Sequence, residues 1–572
     1  MTAEQLIVNI KAASGLEKPE LVIKNCRIVN VFTHEIIEGD IAICGGKIIG
    51  IGRYDGIENR DAQGRYALPG LIESHIHVES SFITPEEFAR AIVPHGTTTA
   101  IADPHEIVNV CGMDGLDYMI RAAGRSACDI KYMMPSCVPC VGWDHNGAVI
   151  DAEALAEGLD REGVLGVGEF MNAYGILGGD QDCIDKLIAA HRKGTVIDGH
   201  APGLSGSGLR GYAVSGIGTD HECETVEEMQ ERLRNGMYVM LRYGSAAQNL
   251  PELLTGLTEG NSRRCLLCSD DRNAEDMIDK GDIDELLRIC VSLGTDPITA
   301  VQMATINAAE CYGLNDRGAI APGRRADIVL VDDLKSFRVT DVYAEGRLTA
   351  QDGRYITEII REDISPAAGR MLVKDFSEER LKMHLKSGRV HIIGIRPGSL
   401  LTDDITDEVM TDDEGEPVLD SDTARISVIE RHKGTGNIAS AMIRGYGIQT
   451  GAIAISMAHD SHNIITVGKN TSDMYRAVER LIETGGGIVL ADKGEILESL
   501  ALPVAGLMST MTAEQTADAF RRIHRCAYER LGVSRDLEPV IALSFMALPV
   551  IPELKLTDTG LYSVSRQELI KA

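Results

Sequence analysis

The chain has 572 residues, a formal net charge of −30 and a hydrophobic content of 44%. A chain of this length can bury several hydrophobic cores, so we expect roughly two to four domains. The negative charge argues against a nucleic acid as partner, because nucleic-acid binding relies on basic surface that displaces counterions. No apolar run approaches the roughly 18 residues that a membrane-spanning helix needs. These features are typical of a soluble globular protein with neither nucleic acid nor membrane as its partner.

Thirteen cysteines are scattered along the chain. Residues 1–15 lack the basic stretch and apolar core of a secretory signal, so the simplest account is reduced thiols in the cytoplasm. The pairs Cys137/Cys140 and Cys265/Cys268 have the spacing of a zinc ribbon but lie in strand-like runs. Residues three apart on a strand face opposite sides, so neither pair chelates a metal well. We predict that most of the cysteines are small buried hydrophobic residues.

Two distant segments share the pattern of a small β unit. Residues 20–68 alternate short apolar runs with turn signals, and Gly45-Gly46 is a candidate hairpin turn. Residues 317–354 return to the same pattern. We predict that the two segments complete one small β-sandwich, in a domain that spans residues 1–68 and 313–362.

Residues 69–312 instead repeat strand and helix patterns, which predicts a (β/α)8 TIM-type barrel with its active site at the carboxyl ends of the strands. The predicted strands are Leu71–Val78, Thr97–Ala102, Ile130–Pro135, Val164–Phe170, Thr195–Asp198, Gly216–Thr219, Tyr238–Arg242 and Cys265–Ser269. The clearest predicted helices are Ala152–Leu159, Ile184–Arg192, Val226–Asn235, Ile283–Leu293 and Ile298–Cys311. Residues 363–572 form a C-terminal α/β domain in this interpretation, and the acidic stretch Thr402–Glu416 is a loop within it.

The first barrel strand carries the motif His75-Ile-His77. Side chains two apart on a strand point to the same face, so the two imidazoles project side by side and can close on one divalent ion. Further polar groups fall at the ends of later predicted strands. These are Asp103, His105 and Glu106, then Glu169, Asp198 and His200, then His221 and Glu222, and finally Asp270 and Asp271. Their coincidence at one end of a barrel predicts a metal centre.

The motifs resemble the amidohydrolase superfamily and, within it, the bacterial adenine deaminase family. The barrel motifs are Pro69-Gly-Leu before His75-x-His77, Asp103-Pro-His-Glu, Ser136-Cys-Val-Pro, Gly168-Glu-Phe-Met-Asn, Asp198-Gly-His-Ala-Pro and Ser269-Asp-Asp. The remaining motifs are Pro322-Gly-Arg-Arg-Ala-Asp-Ile-Val-Leu, His459-Asp-Ser-His-Asn and Leu502-Pro-Val-Ala-Gly-Leu-Met-Ser. The last two discriminate most, because most amidohydrolases lack this C-terminal domain. The resemblance implies hydrolytic deamination of adenine to hypoxanthine at a binuclear metal site.

The resemblance also suggests how the metal ligands divide. We assign His75, His77 and Asp270 to one ion and His200 and His221 to the other. Glu169 bridges the two ions in this assignment, where many barrels of the superfamily use a carboxylated lysine. Two ions held this way provide a hydroxide at neutral pH, and Asp270 takes its proton during attack on the purine. Manganese is the metal that the resemblance favours, while iron or zinc also suits a site without thiolates.

Other positions are assigned to the substrate and to proton transfer. Protonation of the ring requires a carboxylic acid, and Glu106 and Glu222 are both candidates. His105 either orients the purine or ligates an additional ion, and Asp271 holds a ligating imidazole in its tautomer. In the C-terminal domain the substrate-binding candidates are His459, His462 and Asn463, which follow an apolar strand and are expected to close over the barrel mouth.

Two other functions stay open from the sequence alone. A cyclic amide hydrolase of the dihydroorotase or hydantoinase kind uses the same barrel and a similar set of ligands. A non-catalytic scaffold descended from amidohydrolases is the second alternative, although every expected ligand is present. A homodimer is the expected assembly from relatives, and the cytoplasm is the expected location.

Overall fold

The computed structural model describes residues 2–369, 371–385 and 388–570. It begins with one helix and five strands: α1 (Ala3–Ala13), β1 (Leu21–Asn30), β2 (Glu35–Cys44), β3 (Lys47–Gly52), β4 (Glu58–Asp61) and β5 (Tyr66–Pro69). The predicted hairpin turn joins β2 to β3, where Cys44 pairs with Lys47. Gly45 and Gly46 have φ values of 55° and 72°, which glycine adopts at little steric cost.

Residues 71–311, the segment that was predicted to form the barrel, contain eight further strands. They are β6 (Leu71–Ile76), β7 (Thr97–Ala102), β8 (Asp129–Met134), β9 (Val164–Phe170), β10 (Val196–Gly199), β11 (Thr219–Asp220), β12 (Tyr238–Arg242) and β13 (Cys265–Cys268). The first helices between them are α2 (Pro85–Ile92), α3 (His105–Cys111), α4 (Met113–Ala123), α5 (Ala152–Gly158), α6 (Ala173–Gly178), α7 (Gln181–Lys193) and α8 (Gly206–Val214). The later ones are α9 (Val226–Arg234), α10 (Leu250–Leu254), α11 (Ala274–Asp279), α12 (Ile283–Ser292), α13 (Pro297–Met303) and α14 (Ile306–Cys311).

The eight strands run parallel in two sheets, of order β10-β9-β8-β7-β6 and β11-β12-β13. Backbone hydrogen bonds join the sheets at both edges. The amide of Gly218 donates to the carbonyl of Ile197 at 3.0 Å, and the amide of Asp270 donates to the carbonyl of His75 at 3.0 Å. The strands are therefore arranged in a TIM-barrel-like fold, with their carboxyl ends on one side.

Most of the predicted boundaries in this segment agree with the structure to within a few residues. The strands over Thr97–Ala102, Val164–Phe170 and Tyr238–Arg242 are confirmed. The first strand ends at Ile76 rather than Val78, because Val78–Ser81 turns into a 3₁₀ helix. The helix predicted over Ile298–Cys311 is two helices, α13 and α14, which the structure separates between Met303 and Ile306.

Four strands after the barrel segment return to the N-terminal sheet. They are β14 (Ile328–Val331), β15 (Val339–Ala344), β16 (Arg347–Gln351) and β17 (Arg354–Tyr355). The sheet has nine strands in the order β17-β16-β15-β14-β5-β1-β2-β3, with β4 paired to β1. One hydrophobic cluster is built largely from this sheet, and it includes Ile23, Ile28, Ile41, Ile43, Ile328 and Leu330. Most of this cluster therefore comes from the strands of the sheet itself.

Among its described residues, the C-terminal part has eleven strands and three α-helices. The strands are β18 (Gly388–Ile395), β19 (Thr402–Val409), β20 (Thr423–Ile429), β21 (Ile438–Arg444), β22 (Ala452–Ile455), β23 (Ile464–Gly468), β24 (Gly487–Asp492), β25 (Glu495–Ala501), β26 (Leu554–Thr557), β27 (Gly560–Ser563) and β28 (Glu568–Ile570). The helices are α15 (Thr471–Glu483), α16 (Ala513–Cys526) and α17 (Pro539–Ser544). Eight strands form a sheet of order β19-β18-β21-β20-β23-β22-β24-β25, and the last three form another.

The loop predicted over Thr402–Glu416 is wrong for its first half, because Thr402–Val409 is the edge strand β19. It pairs antiparallel with β18 from Thr402 to Val409. Acidic side chains are tolerated there since most of its residues are partly or fully exposed, and charge at a sheet edge discourages pairing with other chains.

The cysteines agree with the prediction that most of them are small buried residues. Eleven of the thirteen are buried. Within residues 2–369, 371–385 and 388–570, no helix is both long enough and apolar enough to cross a membrane.

Candidate active site

The ends of β6 and β13 are fastened together by their backbones. The amide of His77 donates to the carbonyl of Asp270 at 3.1 Å, and the amide of Asp270 donates to the carbonyl of His75. The Nδ1 atom of His77 lies 2.9 Å from the carbonyl oxygen of Asp103, which accepts a hydrogen bond from the ring N–H and leaves Nε2 free to act as a ligand. The predicted side-by-side placement of the two histidines is confirmed, since their ring centroids are 4.9 Å apart.

Asp270 completes a three-ligand group with these histidines. Its Oδ1 atom lies 3.2 Å from the Nε2 atoms of both His75 and His77. The backbone of Asp270 has a φ of 62°, in the left-handed region that aspartate tolerates better than most residues. The turn directly after β13 therefore holds the carboxylate against the two imidazoles of β6.

Glu169 lies at the centre of the site and separates its two oxygens between two groups of histidines. Its Oε1 atom is 3.0 Å from His77 Nε2. Its Oε2 atom is 2.7 Å from His200 Nδ1 and 3.3 Å from His221 Nε2. The Oε1 atom thus faces an imidazole that was assigned to one ion, and the Oε2 atom faces the two imidazoles that were assigned to the other.

These residues fit a pair of divalent ions. Donor atoms that share one ion at about 2.1 Å lie roughly 3 Å apart, which is the spacing seen here. The Nε2 atoms of His75 and His200 are buried and have no hydrogen-bond partner among the described residues. Burial by itself raises the carboxylate pKa of Glu169 and Asp270, but the surrounding imidazoles lower both values well below the usual range. A cluster of ionised carboxylates and unpaired imidazole nitrogens is a suitable metal site.

Arg242, at the end of β12, is a site residue that the sequence interpretation missed. Its Nη1 atom donates to Asp270 Oδ2 at 2.8 Å, and its Nη2 atom donates to Glu222 Oε2 at 3.1 Å. Although burial raises the pKa of Glu222, the guanidinium of Arg242 and nearby imidazoles lower it well below its usual range. The feature that could have identified Arg242 from sequence is its position at the end of a predicted strand, on the same rim as the other site residues.

Glu106 lies at the opposite side of the site, in the first turn of α3, and is fully buried. Its Oε1 atom is 2.6 Å from His459 Nδ1 and 3.5 Å from His105 Nε2, and its other oxygen contacts His462. Burial raises its pKa, but the three imidazoles, led by His459, hold the value well below the usual range. The structure therefore brings the C-terminal histidines against a residue of the barrel rim.

Two predicted substrate contacts have other partners. Asn463 accepts a hydrogen bond from the amide of Arg431 at 3.2 Å and donates to the carbonyl of His145 at 2.8 Å, away from the chamber wall. Asp271 does line the chamber, but it accepts a hydrogen bond from the hydroxyl of Ser80 rather than from a ligating imidazole.

A small chamber of about 20 Å³ adjoins the metal-binding atoms. Its polar wall includes most of the residues described above and also Asp460. Its apolar wall is formed by Met171, Leu400, Phe545 and Leu548, of which the last three come from the C-terminal part. Phe545 stacks on His459 with ring centroids 4.2 Å apart. Met171 belongs to the motif Gly168-Glu-Phe-Met-Asn, but the other three residues carried no signal in the sequence, because they come from separate segments of the C-terminal part.

A TIM-barrel-like fold with a His-x-His strand, two further strand-end histidines and a strand-end aspartate defines the class of amidohydrolases. Residues 66–349 match the model of the amidohydrolase family. Residues 399–568 match the model of the adenine deaminase C-terminal domain.

Full-length relatives narrow the class. The chain is 52% identical to adenine deaminase 2 of Desulfotalea psychrophila, over 100% of this chain and 99% of the relative. It is 48% identical to the adenine deaminase of Nitratidesulfovibrio vulgaris, over 97% of this chain and 96% of the relative. It is 46% identical to the adenine deaminase of Ligilactobacillus salivarius, over 100% and 99% of the two chains. The chain belongs to the adenine deaminase family.

Proposed function

We propose that this chain catalyses the hydrolytic deamination of adenine to hypoxanthine and ammonia at a binuclear metal centre. The observation that carries the proposal is the placement of Glu169, whose Oε1 atom faces His77 while its Oε2 atom faces His200 and His221. A carboxylate whose two oxygens serve two groups of imidazoles is suited to bridge two ions.

In this proposal the residues that would hold the ions fall into two groups. His75, His77 and Asp270 form one group and His200 and His221 the other, with Glu169 between them. Two divalent ions supply the activation of water that attack on C6 of a purine requires at neutral pH. The ligand set contains no thiolate, so manganese, iron or zinc is compatible, and manganese is the metal we propose.

Asp270 is the residue we assign to accept the proton of the attacking water. Its Oδ1 atom faces the imidazoles of β6, while its Oδ2 atom accepts a hydrogen bond from Arg242. The imidazoles, led by His221, together with the guanidinium of Arg242 lower the pKa of Asp270 and keep it ionised, and Arg242 also fixes its direction, so the carboxylate has no proton before attack. Removal of that proton leaves the oxygen nucleophile beside the ligands.

Protonation of the purine ring falls to Asp271 in this proposal. Glu106 and Glu222 are both surrounded by cationic groups that lower their pKa, so neither retains a proton to donate. Asp271 lines the chamber and is held by the neutral hydroxyl of Ser80. Burial, together with the adjacent charge of Asp270, raises the pKa of Asp271 to about 6. Two neighbouring carboxyl groups with separated pKa values divide the base and acid roles.

The rest of the wall has a positioning role. Phe545, Leu400, Leu548 and Met171 offer apolar contact to a planar ring and exclude water from the reacting atoms. His459 supports the ring of Phe545 from behind. In the proposal the C-terminal part therefore supplies the surface that holds the purine, and the barrel supplies the chemistry.

We propose a three-part organisation for the chain as a whole. Residues 69–312 form a closed (β/α)8 barrel, residues 1–68 and 313–362 form a β-sandwich beside it, and residues 363–572 form the C-terminal domain. The core that the nine-stranded sheet makes from its own strands supports the sandwich. A homodimer in the cytoplasm, acting in purine salvage without nucleic acid or membrane, completes the proposal.

The test is to measure ammonia release from adenine and ring opening of dihydroorotate and hydantoin with the same metal-reconstituted protein. Activity on adenine with none on the cyclic amides is expected. The Glu169→Gln variant keeps the shape of the side chain but loses its charge, so we expect it to bind fewer than two ions and to lose activity by several orders of magnitude. The opposite substrate preference, or two bound ions with near-normal turnover in that variant, would overturn the proposal.

A further inference from the structure

A second group of metal-binding side chains lies beside the centre described above. His105, Glu106, His459 and Asp460 each present a ligand atom, and these atoms all lie within 4.8 Å of one another. All four residues are buried, with exposed fractions of 0% to 3%. None of them belongs to the six residues that we assign to the binuclear centre.

The group is assembled from two distant parts of the chain. His105 and Glu106 occupy the first turn of α3, directly after barrel strand β7. His459 and Asp460 lie in the connection between β22 and β23 of the C-terminal sheet. The amide of His459 donates to the carbonyl of Ser544 at 3.1 Å, which fixes this connection against the segment that also carries Phe545.

The separations between the donor atoms are those of a shared ion. Four ligands about 2.1 Å from one ion in a tetrahedron lie about 3.4 Å from each other. His105 Nε2 is 3.5 Å from Glu106 Oε1 and 3.6 Å from Asp460 Oδ1. His459 Nδ1 is also 3.6 Å from Asp460 Oδ1, while its 2.6 Å approach to Glu106 Oε1 is closer. Three of these four separations match the tetrahedral value.

The carboxylates of the group lack ordinary hydrogen bonds. Both oxygens of Glu106 and both oxygens of Asp460 are buried without a hydrogen-bond partner among the described residues. Although His459 approaches Glu106, the two groups are not aligned as donor and acceptor. Two carboxylates removed from water require compensating positive charge, and each unpaired buried oxygen is costly. A cation between them meets both requirements.

We propose that His105, Glu106, His459 and Asp460 bind a third divalent cation, which links the barrel rim to the C-terminal part. Two imidazoles and two carboxylates with no thiolate suit Zn²⁺ or Mn²⁺ in a closed four-ligand site. A site with all four positions filled by protein has a structural role, since no position remains for a water molecule or a substrate.

The imidazole of His105 lies between the third site and the binuclear centre. The Nδ1 atom of His105 is 3.3 Å from Glu169 Oε1, while its Nε2 atom faces the third site. His462 contacts the other oxygen of Glu106 and orients that carboxylate. The third cation would therefore join the connection between β22 and β23 to the barrel rim beside the catalytic ligands.

The test is a metal count on the full-length protein. Apoprotein prepared with a chelator is titrated with Mn²⁺ or Zn²⁺, and the metal retained after gel filtration is measured by plasma mass spectrometry. We expect three ions per chain in the parent protein and two in the variants His459→Gln and Asp460→Asn. The unfolding midpoint of the parent should also rise with metal beyond two equivalents, whereas the midpoint of the variants should not.

His524→Gln is the matched control, because His524 also lies between two carboxylates at the barrel and C-terminal interface. Its ring nitrogens are each 2.6 Å from a glutamate oxygen, of Glu275 and Glu538. This control should retain three ions. Two ions in the parent, or three in both ligand variants, would overturn the third site without affecting the binuclear proposal. Fewer than two in the parent would instead count against both.

Discussion

This chain has two histidine-rich motifs, His75-Ile-His77 in the barrel and His459–Asn463 in the C-terminal part. The direction of each side chain could be predicted from sequence in the first motif but not in the second. On the barrel strand the period of two holds, and both imidazoles meet the same carboxylate oxygen of Asp270 at 3.2 Å. In the connection between β22 and β23 no period applies. His459 faces the chamber, His462 lies behind Glu106, and Asn463 faces the backbone of other segments. In a regular strand the direction of each side chain follows from its position in the sequence. In a loop it does not, so neighbouring residues can contact different parts of the molecule.

The largest expected effect comes from the strand motif. The variant His77→Gln retains an amide that can donate to the carbonyl of Asp103 but removes the imidazole nitrogen that faces Glu169 and Asp270. We expect fewer than two catalytic ions per chain and a fall in kcat of several orders of magnitude. Metal analysis and ammonia release from adenine measure both. A variant with a full complement of metal and near-normal turnover would remove the strand motif from the centre.

An intermediate effect is expected from His462, which has no contact with the chamber but orients Glu106. Loss of a residue that orients a ligand commonly reduces metal affinity or activity by about 10- to 100-fold. We expect a decrease of this size in kcat/KM for His462→Gln, with the two catalytic ions retained. The control is His432→Gln, because the Nε2 atom of His432 lies 2.7 Å from the carbonyl oxygen of Ser461 rather than beside Glu106. Equal kinetics in the two variants would show that His462 has no orienting role.

The smallest effect on catalysis is expected from Asn463. Its side chain is hydrogen-bonded to the amide of Arg431 and the carbonyl of His145, so the Asn463→Ala variant removes both hydrogen bonds. Such a loss costs about 1–3 kcal/mol for an unsatisfied group. We therefore expect a lower free energy of unfolding in urea while kcat per folded chain stays near the parent value. Exposed Asn315→Ala should change stability by less than about 0.5 kcal/mol. A large fall in kcat for Asn463→Ala with unchanged stability would place this residue in the site after all.

The residues at the barrel rim could be predicted from the sequence because two regular patterns coincide there. Strand periodicity sets the direction of each side chain, and the parallel order brings every carboxyl end to one side, so residues far apart in sequence meet. His75, Glu169 and His221 could be assigned on that basis. The charged edge strand Thr402–Val409 was not recognised, because its exposed acidic residues hide the alternation that marks a half-buried strand.

Contacts between segments that lie far apart in the sequence could not be predicted. Arg242 is defined by Glu222 and Asp270, which belong to the ends of two other strands. Leu400, Phe545 and Leu548 form the chamber wall only because the C-terminal part lies over the barrel. No local pattern encodes such a placement, since it results from packing between segments far apart in sequence rather than from the period of one element.

The size of the chamber has a consequence for the catalytic cycle. A volume of about 20 Å³ admits one water molecule, for which roughly 10–15 Å³ suffices, and excludes a bicyclic ring. Adenine can enter, and hypoxanthine can leave, only when side chains of the chamber wall such as Leu400, Phe545 and Leu548 move apart. An opening of this kind on the microsecond to millisecond scale limits the rate whenever the chemical step is faster. Viscosity of the solvent, which slows such movements and leaves bond making untouched, becomes a variable that this enzyme should respond to.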